Sequence, residues 1–169
     1  MPVISKVLER HLHNAIHTFL KNNNLLYRFQ SGFRRQYSTE TALINIYDRL
    51  VNNLDKNFIN GMVFADFKKA FDLVDHKVLF HKLHIYGLED VGLQLITSYL
   101  TLRKQRTFIN NVPSSSQYLT HGVPQGSVLA PILFLIFIND LPVAISHPSI
   151  VDIFADDTTI SNSAPWSDS

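Results

Sequence analysis

An acid set inside an apolar strand restricts a fold more than any other short pattern, because a charge carried into a core must find a partner or a cation. The apolar run Ser149 to Ala155 delivers two adjacent carboxylates, Asp156 and Asp157, and then turns back through Thr158, Thr159 and Ile160. That reads as a β-hairpin with acids at its tip. Upstream, a second strand candidate, Met62 to Phe67, carries Asp66 inside Val-Phe-Ala-Asp-Phe, where the sequence predicts a buried charge. If the two strands lie side by side the three acids converge, and each pair at about 4 Å repels by roughly 4 kcal/mol at an effective dielectric of about 20. Divalent cations remove that penalty. A carboxylate cluster holding two metal ions about 3.5 to 4 Å apart is the machinery of phosphoryl and nucleotidyl transfer.

The rest of the chain is compatible with one domain around a sizeable core. Of 169 residues, 46% are hydrophobic, and the net charge of +1 neither demands nor excludes nucleic acid. With no cysteine there is no disulfide framework, thiolate zinc site or cysteine nucleophile. The first residues read as an amphipathic helix rather than an export signal, and the greasiest stretch, Val128 to Ile138, is broken by Pro131 and too short to span a membrane.

Val3, Ile4, Val7, Leu8, Leu12, Ile16, Phe19 and Leu20 recur at helical spacing, so residues 3 to 20 are predicted helical and stopped by Asn22-Asn23-Asn24. Ser38 or Thr39 can cap a second helix with Leu43, Ile46, Tyr47, Leu50 and Leu54 as its stripe, after which Gly61 resets the chain. Asp75 is placed to cap a third helix reaching His84 or Ile85 before Gly87, and a fourth spans Asp90 to Leu102. Arg106 to Asn111 and Gln117 to His121 are expected to pair as a hairpin. Ser127 should cap a nearly all-apolar, buried helix ending about Asn139. Ser161 to Ser169 reads as a polar tail. Strands mixed with helices and two hairpins predict an α+β fold, an antiparallel sheet with helices stacked on one face.

Four segments, in order, carry a family resemblance: Gln-Ser-Gly-Phe-Arg-Arg at 30 to 35, Ala-Asp-Phe-Lys-Lys-Ala-Phe-Asp at 65 to 72, Gly-Val-Pro-Gln-Gly-Ser at 122 to 127 and Phe-Ala-Asp-Asp at 154 to 157. Together they resemble the fingers and palm of a reverse transcriptase, in the form found in non-LTR (LINE-type) retrotransposons. The Ser-Tyr-Leu-Thr-Leu-Arg-Lys-Gln-Arg run at 98 to 106 is also similar to that family. The resemblance implies a polymerase palm with a ferredoxin-like core, built from about 61–99 and 122–160, and fingers-like elements at about 1–60 and 100–121. It stops short of a thumb. By position it makes Asp66, Asp156 and Asp157 the catalytic, metal-binding acids for two Mg2+ ions, with Mn2+ as a substitute. Phe71 becomes the gate against a 2′-hydroxyl, Arg34 or Arg35 holds the triphosphate, and Phe67, Gln125 and Gly126 line the dNTP site with them. Arg103, Lys104, Arg106, Gly122 and Pro124 contact nucleic acid. The implied partners are an RNA template, a DNA primer, dNTPs and the remainder of a longer retrotransposon polyprotein, within the cell and away from membranes. Ala130 stands where the resemblance calls for glycine.

Blander readings compete. Adjacent aspartates at a turn are ordinary turn chemistry, and Lys68-Lys69 reads as a solvated pair. His13 and His17 lack a third ligand of convincing spacing for zinc. A phosphoacceptor receiver domain would need the acidic pair first and the lone acid later, the reverse of this order. The rival to an RNA-directed DNA polymerase is a catalytically dead remnant that at most binds nucleic acid weakly.

Overall fold

The computed structural model describes residues 3–101, 103–145 and 148–167. In chain order the elements are α1 (Val3–Asn22), α2 (Thr39–Leu54), β1 (Phe58–Asp66), α3 (His76–Ile85), α4 (Asp90–Leu100), β2 (Lys104–Gln105), β3 (Phe108–Ile109), β4 (Val112–Pro113), β5 (Gln117–Tyr118), α5 (Ala130–Ile138), α6 (Leu141–Ala144), β6 (Ile150–Phe154) and β7 (Asp157–Pro165). They form two compact units, one from residues 1–22 and 69–137 and the other from 23–68 and 138–169.

The first unit is helical with a β-ribbon. Ile16 and Leu20 on α1, Leu79 and Leu83 on α3, Ile96 and Leu100 on α4, Leu129 just before α5, and Ala130 and Ile132 to Ile136 along it are buried. The expectation of a buried α5 is met, and Ser127 Oγ accepts from Ala130 N at 2.9 Å at its start. Asp75 caps α3, its carboxylate accepting from Lys77 N (2.7 Å) and Val78 N (3.1 Å). These bonds, that of Val78 foremost, hold the Asp75 carboxyl below its ordinary pKa. The ribbon departs from the predicted pairing. β3 pairs with β4 across Asn110-Asn111, and β2 pairs with β5, in place of one ladder between 106–111 and 117–121. The cause is the turn: Asn110 and Asn111 both take positive φ, 49° and 62°, as a two-residue hairpin of the primed kind requires.

The second unit is an antiparallel sheet in the order β1-β7-β6, with α2 packed on it. Beyond β6, Phe29 to Ser31 runs parallel to it: Ile153 N donates to Phe29 O (3.0 Å) and Ser31 N to Ile153 O (2.8 Å). Three expectations are corrected here. Gly61 lies inside β1, opposite Asn162, where strand pairing overrides its turn propensity. Residues 161–165 of the predicted tail belong to β7, paired with Phe58 to Met62, because a polar strand is held by its ladder rather than by burial. On α2 the predicted stripe is met only in part: Ile46 and Leu50 lie on the less exposed side together with Ala42, Arg49, Val51 and Asn53, whereas Leu43, Tyr47 and Leu54 are exposed. The reason is polar pairing. Arg49 forms an ion pair with Asp152, and Asn53 Nδ2 donates to Asn60 Oδ1 at 2.7 Å. Ser38 caps α2 in a box with Thr41, as expected.

Candidate active site

The acids lie in the sheet unit. Asp66, the last residue of β1, is directly opposite Asp157, the first of β7, and residues opposite one another in an antiparallel pair project from the same face with Cβ atoms about 4.5–5.5 Å apart. Asp156 precedes Asp157 in the two-residue turn between Phe154 and Asp157, whose other member, Ala155, has φ 58°. Thus the two predicted strands are neighbours, and their acid-bearing ends coincide. The charge on Asp66 is not buried, however; the residue is exposed, at the end of β1, an edge strand of the sheet. Solvent and the neighbouring Asp157, rather than a closed core, define its surroundings.

The turn is held from the side by the Gln30-Ser31-Gly32 segment. Gln30 is buried, and its Oε1 accepts from Gly32 N at 2.9 Å and Ala155 N at 3.4 Å. A Cβ on Gly32 would fall 2.2 Å from Ala155 N, so only glycine allows the segment to lie against the turn. Arg34 follows, with Nη1 donating to Gln30 O (3.0 Å) and Tyr27 O (3.2 Å) and its guanidinium 4.4 Å from the Tyr37 ring. Arg35 and Phe67 are exposed. A cleft of about 230 Å³ opens on the same sheet face, lined by Phe29, Tyr37, Ile46, Phe154, Asp157 and Thr159 among others.

The other predicted site residues lie in the helical unit, where residues 71–76 and 122–125 are laced together. Val123 N donates to Phe71 O (2.9 Å) and Gly122 N to Val74 O (2.8 Å). His76 Nε2 donates to Gly122 O (2.8 Å), and Gln125 Nε2 to Asp72 Oδ1 (2.9 Å). Gly122 has φ 84°, and a Cβ there would sit 2.9 Å from Asp72 O. Pro124 O accepts from Ser127 N, and Gly126, φ 76°, faces open space. The Phe71 ring stacks on buried Phe134 with centroids 4.4 Å apart and planes 22° apart. Arg103 is half-buried, while Lys104 and Arg106 are exposed on the ribbon.

Sequence reasoning missed Glu9, Asp72, His76, Phe134 and the Arg49–Asp152 pair. Glu9, 3% exposed, accepts from Val128 N through Oε2 at 2.7 Å, which fixes the chain just after the Gly122–Ser127 loop. Burial, with Glu9's charge adding, raises the pKa of the Tyr99 hydroxyl beside it. A signal existed: Glu9 shares one helical face with Leu12, Ile16 and Leu20, a lone acid in an apolar stripe.

Among the described residues no three acidic, histidine or cysteine side chains are gathered into a ready-made metal site. The donor set does suit a hard cation, since carboxylate oxygens are the ligands Mg2+ and Mn2+ prefer. Asp66 and Asp157, paired across the ladder with Asp156 alongside, are the groups able to hold it.

The family model described as reverse transcriptase (RNA-dependent DNA polymerase) matches residues 1–165. The RNA-directed DNA polymerase from mobile element jockey of Drosophila funebris is 36% identical over 142 residues, 84% of this chain and 15% of that protein. The probable RNA-directed DNA polymerase from transposon X-element of Drosophila melanogaster is 30% identical over 95% of this chain and 18% of its own length. The chain therefore spans less than a fifth of these relatives. Among solved structures, telomerase from Candida tropicalis in complex with the TWJ fragment of telomeric RNA superposes with a TM-score of 0.65 at 14% identity, over 96% of this chain and 29% of that one. Truncated apo telomerase from the same organism gives 0.63 over 93% and 33%. Both show the same fold. On the match over residues 1–165, this chain belongs to the reverse transcriptase family.

Proposed function

We propose that the chain carries the polymerising site of an RNA-directed DNA polymerase of a non-LTR retrotransposon, transferring dNTPs to a primer 3′-hydroxyl on an RNA template. The observation that carries the reading is the register that sets Asp66 opposite Asp157 with Asp156 in the adjoining turn, in a chain of this family. Asp66, Asp156 and Asp157 would hold two Mg2+ ions, or Mn2+. When bound, such ions acidify the attacking hydroxyl and neutralise charge on the leaving pyrophosphate. The remaining work belongs to the chain itself. Phe71, whose ring stacks on Phe134, would be the gate that collides with a 2′-hydroxyl. Gln125, whose Nε2 donates to Asp72 Oδ1, and Gly126, with open space beside it, would let backbone and the amide oxygen approach the new base pair. Arg34 is committed to two backbone carbonyls, so exposed Arg35 is the better candidate for the triphosphate, by charge-assisted hydrogen bonds; Phe67 flanks it. Arg103, Lys104, Arg106, Gly122 and Pro124 would contact template and primer. In this reading the β1-β7-β6 sheet is the core of a ferredoxin-like palm (about 61–99 and 122–160), and 1–60 and 100–121 are fingers-like. The test is extension of a primed RNA template beside an Asp156→Asn control, with and without chelator. Incorporation by the parent alone, abolished by chelation, is the expected result; equal incorporation by both proteins would sink the assignment.

A further inference from the structure

The tip of the β-ribbon is apolar on both faces and, among the described residues, open to solvent. Phe108, Ile109 and Val112 are 64, 70 and 68% exposed. Ile109 pairs with Val112 and Phe108 with Pro113, so each face carries two apolar side chains. The tip is nonetheless well formed: Thr107 and Ser114 clamp it, with Ser114 N donating to Thr107 O (2.8 Å) and Thr107 N to Ser114 Oγ (3.0 Å). At its base, Lys104 lies across from Tyr118 with Nζ 4.6 Å from the ring centroid. Arg103 and Arg106 flank it, and no acid occurs anywhere between Asp90 and Asp140. A basic base supporting a greasy, exposed tip is complementary to a polyanion whose charged backbones border an apolar interior.

We infer that this hairpin is a nucleic-acid contact element in which Arg103, Lys104 and Arg106 bind phosphates while Phe108, Ile109 and Val112 lie against sugars and base edges of an RNA–DNA hybrid. The choice of hybrid rests on the polymerase reading and on shape. Strands about 4.8 Å apart with side chains on both faces are too broad for a B-DNA minor groove about 6 Å wide. The wide, shallow minor groove of an A-like helix accepts them.

The experiment is fluorescence anisotropy of a labelled RNA–DNA hybrid against the full chain, without metal or dNTP, over a range of salt. A Phe108→Ser/Ile109→Ser variant should bind on the order of tenfold more weakly with an unchanged salt slope, because apolar contact is lost and phosphate contacts are kept. Lys104→Gln should reduce the slope by about one. A DNA duplex of the same sequence should compete less well than the hybrid. An unchanged affinity for the tip variant would overturn the proposal, as would equal competition by DNA. So would concentration-dependent self-association of the parent that the tip variant abolishes, since the surface would then serve protein contact. Matching circular dichroism and melting of parent and variants exclude misfolding. Primer extension with the same preparations reports separately on the polymerase reading, so either can fail alone.

Discussion

Two glycines show how far one residue's surroundings decide its fate. At Gly32 a Cβ would press on the Ala155 backbone at 2.2 Å, whereas at Gly61 the nearest atom is Asn162 O at 4.0 Å. Gly32→Ala should therefore destabilise by about 1–3 kcal/mol, and Gly61→Ala should be neutral or stabilising by up to about 1 kcal/mol; urea unfolding of the two variants checks the contrast. Glu9 offers a second comparison. Glu9→Gln keeps an acceptor for Val128 N, but Glu9→Leu strands that buried N–H and should cost about 1–3 kcal/mol. Faster amide exchange at Val128 in Glu9→Leu alone is the site-specific readout. The acids themselves were legible because apolar flanks made them conspicuous. The burial expected of Asp66 was wrong, since flanking composition cannot reveal that a strand lies at a sheet's edge.

Helices announced themselves through period and caps. Ser38, Asp75 and Ser127 each accept the backbone bond expected of them, and the capping predicts a pH signature. The Asp75 carboxyl is held below its ordinary pKa by Val78 N and Lys77 N, so its contribution is complete above the unfolded value of about 3.9 and is lost as pH falls through the lower native value. Asp75→Ala should lower the urea midpoint at neutral pH, and the gap should close under more acid conditions. What the period caught only in part was the packed face of α2, where Ile46 and Leu50 are joined by Arg49 and Asn53, which pair with Asp152 and Asn60, while Leu43, Tyr47 and Leu54 stay exposed. A double-mutant cycle of Arg49→Met and Asp152→Asn should return a coupling of about 0.5–3 kcal/mol; additivity would show the pair to be incidental. The Asn110-Asn111 turn was visible as turn-rich sequence, yet its positive φ angles, which set the register, were not.

Across the whole molecule, the order of four motifs was more informative than any helix or strand, and the family match confirms the kinship they implied. The division into units was hidden. The chain leaves the helical unit after Asn22, returns at Lys69 and leaves again after Phe137, and such long-range closure is not written in local periodicity. The central claim is that acids on β1 and at the β6–β7 turn share metal. The most direct measurement is Mn2+ binding followed by electron paramagnetic resonance, in the presence of primed RNA template and dNTP. The parent should bind Mn2+, and Asp66→Asn and Asp156→Asn should each lose most of that binding. Asp152→Asn, whose parent carboxylate is occupied by Arg49, should retain it. Undiminished Mn2+ binding by Asp66→Asn would contradict the account.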